Sequence, residues 1–453
     1  MTLRTLACDA DHRRIHDENV KSFDCNLTGS PTGFKAAIPP SFSTITLNPS
    51  LEVRGLTSIA AIPISRTLRV FEIDFRRDRR WQEFISAHPD ALVYHHPGWL
   101  EALEAEYGQK CVSLACENED RQICAVLPLF LTKGLPVKFG RLAMGRRLTS
   151  LPRTPLAGPL SVSHEATVAI LEYAIEMASS HPGVQLEIKT SISKLDLSVP
   201  KLACTEWRPT YVEELPPATE GSTWNDFWEN VRLPRTCTSC EGCRRLRFGN
   251  AKRQHRVNWA VNKAMKLGLS VRTAESEEDL ERWYPLYLLT MRHNAVPPRP
   301  YRFFRALWSS LKPCGAMKLL IAERETAGQV KLIAGSILLQ LGQTVFYAFT
   351  GCAPEDFCLH PHDILQIEAI RSACRSGFRW YDFGEVTEDH EALAQFKTKW
   401  GGDPTALFRY YYPSPKEGIS ARESKYASSL RKLWRRLPPK ATAVLGDFIY
   451  GRM

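Results

Sequence analysis

DILQIEAIRSACRSGFRWYDFG, residues 363–384, reads as a helix, a glycine break and a short strand. Ile364, Ile367, Ile370 and Cys374 recur at helical spacing and give the helix one apolar face. The following FRWYDFG reads as a strand that ends on Asp382 beside Phe383 and Gly384. Upstream, MKLLIAERETAGQVKLIAGSILLQLG (317–342) is a strand, a turn and a strand, and TVFYAFTG (344–351) is one more strand. Three helices precede them: AKRQHRVNWAVNKAMKLG (251–268), DLERWYPLYLLTMRHN (279–294) and YRFFRALWSSL (301–311).

The first half of the chain follows the same plan. LRVFEID (68–74) is a strand and RRWQEFISAH (79–88) a helix with Trp81, Phe84 and Ile85 on one side. In ALVYHHPGWLEALEAEYG (91–108), Pro97 suits a first helical turn that carries Trp99, Leu100 and Leu103 inward. CVSLACENEDRQICAVLPLFL (111–131) is a hairpin, EATVAILEYAIEMASS (165–180) an amphipathic helix and VQLEIK (184–189) a strand. Each half thus gives a hairpin, a helix and a short strand bearing an acid, Glu187 in one and Asp382 in the other. The repeat implies a duplication. The alternation of strands and helices implies an α/β or α+β fold in two tandem domains, each with its own central mixed sheet.

The expected division is a leader at 1–66, an N-terminal domain at 67–230, a Cys-rich basic linker at 231–250, a C-terminal domain at 251–413 and a basic amphipathic tail at 414–453. The leader mixes Pro, Ser, Thr and Asn without periodicity and reads as disordered. With 44% hydrophobic and 24% charged residues in a chain of 453, the composition is that of a globular protein and excludes collagenous and coiled-coil classes. The longest apolar run, Ile123–Leu131, is too short to span a bilayer. Thirteen scattered cysteines and the lack of a signal-peptide core point to reduced thiols and a cytoplasmic location. A net charge of +10 favours anionic partners: phosphates, nucleic acid or an anionic membrane face.

Five stretches carry a family likeness: YHHPGWLEAL (94–103), AVLPLFL (125–131), RVNWAVNKAMKLGL (256–269), residues 363–384, and LAQFKTKWGG (393–402). Together they resemble the Fem-like acyltransferases, a branch of the acetyltransferase-fold superfamily that includes the peptidyltransferases of peptidoglycan cross-bridges and relatives linked to exopolysaccharide clusters. The likeness covers residues 90–413. It implies two acetyltransferase-like domains and an activity that moves an acyl or aminoacyl group onto an amine to form an amide. It implies acyl-CoA or aminoacyl-tRNA as co-substrate, with tRNA then a partner, and no bound cofactor. Three features depart from the family pattern. His360, Pro361 and His362 stand where an Asn is usual, no pyrophosphate-binding loop for acetyl-CoA is visible, and residues 234–246 look like an insertion.

Amide formation needs a neutral amine, a donor to the developing oxyanion and cationic anchoring of an anionic substrate. Lys397 is the first candidate for the oxyanion or a phosphate, because Phe396–Lys397 matches the pair that the family uses at its cleft. A solvated helix lysine is the competing reading. Asp382, at a strand end beside a glycine, could take the amine proton or merely cap the following turn; Glu385 is a weaker candidate of the same kind. Arg253, Arg256 and Lys263 share one side of a basic helix and could bind substrate phosphates, or form a solvated face. Trp259 on that helix is expected in the core. Tyr347, Tyr381 and Phe396 are candidates for lining the cleft, with core packing the default for the two tyrosines.

Cys237, Cys240 and Cys243 have metal-like spacing, and His255 could add a fourth ligand. No second pair accompanies them, so no metal is expected. In the tail, Leu430, Leu433 and Leu437 oppose Arg431, Lys432 and Arg435. The segment could dock on the body or lie on an anionic membrane, where residues 428–452 would make a peripheral contact. The leading expectation is an amide-forming transferase acting on an anionic or lipid-linked cell-envelope or polysaccharide precursor. The alternatives are an acyl-CoA-dependent N-acyltransferase of a small amine and a non-catalytic basic nucleic-acid-binding protein.

Overall fold

The computed structural model describes residues 68–133, 146–215, 251–387, 390–415 and 433–450. The leader at 1–66, the linker at 231–250 with Cys237, Cys240 and Cys243, and the inserted 234–246 lie outside them.

The first half runs β1 (Arg69–Glu72), α1 (Arg79–Ala87), α2 (Pro97–Tyr107), β2 (Cys111–Glu117), β3 (Ile123–Leu131), β4 (Arg147–Thr149), β5 (Leu160–Ser161), α3 (His164–Ser179), β6 (Gln185–Thr190), α4 (Leu195–Ser198) and β7 (Ala203–Glu214). The second runs α5 (Ala251–Lys266), β8 (Leu269–Thr273), α6 (Glu277–His293), α7 (Tyr301–Leu311), β9 (Met317–Thr326), β10 (Gln329–Leu341), β11 (Thr344–Cys352), α8 (Pro361–Arg375), β12 (Trp380–Glu385), α9 (Glu391–Lys399) and β13 (Asp403–Tyr412). A helix α10 (Pro439–Tyr450) follows.

Local chemistry accounts for the main helices. Ser163 caps α3 by accepting from the Ala166 amide at 3.2 Å, and Glu165 lies in its positive first turn. Pro97 opens α2, with the His96 ring accepting from the Gly98 amide at 3.0 Å. Ile364, Ile367, Ile370 and Cys374 of α8 are all buried, so the apolar face read from the sequence is the one that packs.

The strands form a mixed sheet ordered β1-β2-β3-β4-β6-β13-β7-β12-β11-β10-β9-β8, with β5 on β3. This order reads the same from either end. β1 to β4 are antiparallel neighbours, as are β8 to β11, and in each half the next pair, β4–β6 or β11–β12, is parallel. The third residue pair of each parallel set is Thr149–Glu187 or Phe346–Asp382.

Two tandem domains are present, but the expectation of a separate sheet in each is corrected. The long strand β7 of the first half pairs with β12 of the second, and β13 of the second pairs with β6 of the first. β7 and β13 then pair with each other and close one continuous sheet. Helices also join the halves: Trp99 of α2 meets Phe303 of α7 edge-on at 5.5 Å. Among the described residues no helix is long and apolar enough to cross a membrane.

Candidate active site

Where the exchanged strands meet, a cavity of about 380 Å³ opens between the halves. Alternation along β6 explains its chemistry. Leu186 and Ile188 face the core under α3, which sends Glu187 and Lys189 to the other side of the sheet, into the cavity. Arg147 and Thr149 of β4, Trp207 and Arg208 of β7, Arg409 of β13 and Glu385 at the end of β12 complete the polar wall.

Glu187 is the hub. Its Oε1 accepts from Arg409 Nη1 at 2.6 Å, its Oε2 accepts from Thr149 Oγ1 at 3.1 Å, and Arg147 stands 3.9 Å away. Burial alone would raise its pKa, but Lys189, Arg409 and Arg147 outweigh that and hold the carboxyl at about 2. Burial lowers Lys189 to about 8 despite the attraction of Glu187. Lys189 Nζ donates to the Leu151 carbonyl at 2.7 Å. The Arg409 guanidinium lies over the Trp207 ring at 3.5 Å. Burial raises Glu385, with Arg409, Arg208 and Lys189 opposing. Arg147, Arg153, Lys189, Arg208 and Arg409 against Glu187 and Glu385 leave the cavity wall net positive.

Directly behind Glu385 lie Lys397 and Asp382. Lys397, in α9, is only 7% exposed and is therefore not a solvated helix lysine. Its Nζ donates to the carbonyls of Gly384 at 2.8 Å and Glu385 at 3.1 Å. Gly384 has φ +84, the left-handed conformation that glycine adopts without strain. Burial pulls Lys397 down to about 8, opposed by the charges of Asp382 and Glu385. Asp382 is also buried; its Oδ1 accepts from Thr210 Oγ1 at 2.5 Å and from the Gly384 amide at 2.6 Å. It thus caps the turn, while burial raises it to about 6. The pair supports the cavity wall through the Glu385 backbone and does not line it.

The other sequence candidates lie elsewhere. Tyr347 exchanges a hydrogen bond with Ser336 at 2.7 Å, and Phe396 packs half-buried on the second-half core. Neither is a cavity residue. Arg256 is exposed and Lys263 half-buried on α5, also away from the cavity; the side chain of Arg253 lies outside the described residues. Trp259 is 52% exposed and not in the core, because the buried face of α5 is Val257, Ala260 and Ala264. The Lys263 ammonium sits over its ring at 4.9 Å. Lys399 pairs with Asp363 at 2.5 Å on a different side of α9 from Lys397.

Lys189, Arg409, Arg147, Trp207 and Arg208 are absent from the sequence candidates. The spacing of Glu187 and Lys189, two apart in a strand, places both on one face and is a readable signal. Arg409 reaches Glu187 only through the strand exchange, which leaves no local trace.

A mixed sheet repeated in two halves, each with one parallel strand pair, beside a charged cavity is an acetyltransferase-type arrangement. Residues 251–397 match the acetyltransferase (GNAT) domain model. The structure superposes on that of FemX with a TM-score of 0.54 and 14% identity, covering 81% of this chain and 100% of FemX. Weaker likenesses include L-PGS from Bacillus licheniformis, with a TM-score of 0.43, 10% identity and coverage of 76% of this chain and 98% of that one. A tandem GNAT protein from the clavulanic acid biosynthesis pathway gives 0.41, 11%, 78% and 100%. No curated protein matches the chain in sequence. The chain thus carries an acetyltransferase (GNAT) domain at residues 251–397 and has, over most of its length, the fold of FemX.

Proposed function

We propose that this acyltransferase forms an amide by moving an acyl or aminoacyl group onto the amine of an anionic acceptor, a cell-envelope or polysaccharide precursor. The observation that carries this reading is the buried Lys397–Asp382 pair behind a net-cationic cavity at the junction of the halves. The cavity walls offer Arg147, Arg208 and Arg409 to the acceptor's anionic group. The acceptor nitrogen attacks the carbonyl carbon of the donor. A C–N bond forms, the bond from that carbon to the leaving oxygen or sulfur breaks, and the leaving group departs as alcohol or thiol.

An ammonium has three N–H donors. Lys397 directs two at the Gly384 and Glu385 carbonyls, and the third serves the developing oxyanion. Asp382, raised to about 6, receives the amine proton and returns it to the leaving group, which departs as the alcohol or thiol. For either step to occur the Glu385 segment shifts enough to open the pair to the cavity.

The donor is an activated ester or thioester, aminoacyl-tRNA or acyl-CoA, as the sequence resemblance implies. Aminoacyl-tRNA would make tRNA a partner. Incubation with a panel of acyl-CoAs, read by thiol release, and with charged tRNAs, read by deacylation, separates the two. Acceptor-dependent release with one donor class and an amide product by mass is expected. Release from neither class in the presence of amine acceptors refutes the proposal. Release from acyl-CoA with a small neutral amine alone favours the simpler N-acyltransferase.

A further inference from the structure

An ammonium entering the cavity meets a wall of cations, and among the described residues only Glu187 and Glu385 offer it a carboxylate there. Glu187 is already committed to Arg409 Nη1 at 2.6 Å and Thr149 Oγ1 at 3.1 Å. Glu385 is uncommitted: its Oε1 is buried and accepts no hydrogen bond, and its Oε2 stands 3.8 Å from Arg208 Nε, beyond hydrogen-bond length. The Trp207 indole comes close enough to lower the carboxyl's pKa, with its N–H outside hydrogen-bonding geometry. A buried carboxylate oxygen without a donor is costly and marks a place where a donor is missing. The backbone explains why this acid reaches the cavity. Asp382 and Glu385, three residues apart on β12, pair with Val212 and Thr210, two apart on β7. The extra residue makes a bulge that takes in Gly384 at φ +84 and turns Glu385 to the side of the sheet where Asp382 and Thr210 meet. Lys397 fixes the bulge by donating to the Gly384 and Glu385 carbonyls.

We propose that Glu385 is the subsite for the acceptor's ammonium, and that the acceptor carries its anionic group only a few bonds from that nitrogen. This assignment deepens the amide-forming reading and rests on it. Glu385 Oε1 accepts one ammonium N–H as a charge-assisted hydrogen bond. Arg208 beside it and Arg147 take the anion, and Arg409 Nε, also buried without a hydrogen-bond partner, supplies a further unmet donor. The 3.8 Å between Arg208 and Glu385 sets the span. Both charges of the ligand then fall within one compact zwitterionic unit, an amino carboxylate or an amino phosphate. An alcohol, or an amine with no anion near it, leaves one half of the Arg208–Glu385 pair unmatched, so the same contacts select the acceptor. The bound nitrogen lies beside the bulge that Lys397 holds, next to the groups assigned to the reaction.

The test is isothermal titration of the full chain, without any acyl donor, with aminoethyl phosphate and with β-alanine, each set against its amine-free analogue, ethyl phosphate or propionate. The parent should bind at least one zwitterion about tenfold more tightly than its analogue, and which one does so tells phosphate from carboxylate. Glu385→Gln, of equal size, should lose that preference. It should bind the amine-free analogue at least as well as the parent does, because a negative charge beside the anion is gone. Glu385→Asp keeps the charge on a shorter stem and should recover part of the preference. Arg208→Gln should weaken zwitterion and analogue alike. A parent with no preference for either zwitterion, or a Glu385→Gln variant that weakens zwitterion and analogue equally, overturns the assignment. With no donor present, the titrations stand apart from the donor-release assay: failure of that assay refutes the amide-forming reading whatever binds, and failure here leaves that reading intact.

Discussion

Glu187 and Asp382 occupy the same place in the two halves, each on the third residue pair of a parallel strand pair, yet their carboxyls are driven in opposite directions. Both are buried. Glu187 faces Lys189, Arg409 and Arg147 and falls to about 2. Asp382 has one buried lysine and two hydrogen bonds against the cost of burial, and rises to about 6. One descendant of the duplicated strand is thereby a fixed anion that organises cations, and the other is poised to exchange a proton near neutrality.

The pH–rate profile follows from this division. In the proposed mechanism Asp382 acts as a carboxylate, so activity should rise as pH passes about 6, and Lys397 acts as an ammonium, so activity should fall as pH passes about 8. A narrow bell between these limbs is expected in kcat/KM. The stability signs oppose the rising limb. A carboxyl raised in the folded state favours folding most below its unfolded value of 3.8, and that contribution is lost as pH rises through 6. Asp382→Asn should therefore remove the acidic limb and most activity while raising the melting temperature above pH 6. A profile flat from pH 5 to 9 would contradict the assignment, which rests on limbs at about 6 and 8.

Glu187→Gln should damage the fold. The depressed carboxyl contributes stability above its unfolded value of 4.5, and this is lost as pH falls towards 2. Removing the charge leaves Arg409 and Lys189 without their counter-ion in a buried setting, which costs about 3 kcal/mol. Urea unfolding at pH 7 should show a loss of that order. The gap between variant and parent should narrow as pH falls below 4.5 towards 2.

Gly98→Val tests the seam between the halves. A Cβ at Gly98 would lie 2.8 Å from both Leu311 Cδ2 and Ser310 Cβ, so α2 and α7 approach closely only because this residue lacks one. Overpacking should lower stability by about 1–3 kcal/mol. A melting temperature equal to the parent's would show that the two helices can separate without cost.

The outer parts of each half are legible in the sequence because their residues face one way. The α8 face of Ile364, Ile367, Ile370 and Cys374, and the Gln329–Leu341 strand after its turn, obey simple periods. The central strands do not. Ala203–Glu214 contains Pro209 and mixes charged with aromatic residues, and Asp403–Tyr412 opens on Asp-Pro. Both border a polar cavity in mid-sheet, so the apolar alternation that marks a strand is absent where the function lies. Lys397 comes from family likeness, Asp382 from its place at a strand end beside a glycine, and Glu187 from comparison of the halves. Arg409 needs the exchanged topology, which no local pattern encodes.

Lys397 and Lys399 give the sharpest contrast, because they are two residues apart on α9 and do different things. Lys397 bonds two backbone carbonyls beside Asp382; Lys399 pairs with Asp363 and lies 4.9 Å from the Phe396 ring. Lys397→Met keeps the length and apolar stem of the side chain and removes its N–H groups. If the third N–H stabilises the oxyanion, kcat should fall by about 10²–10³. Loss of the two carbonyl bonds should also cost some stability, so the melting temperature alone cannot identify the role. The pH profile can: the limb near 8 should vanish in Lys397→Met, while residual activity keeps the limb near 6. Lys399→Met breaks the ion pair with Asp363 on the far side of the helix, and should lower stability yet retain both limbs. If Lys397→Met keeps its alkaline limb, or loses no more activity than Lys399→Met, Lys397 is a structural strut for the Glu385 turn and the oxyanion donor lies elsewhere.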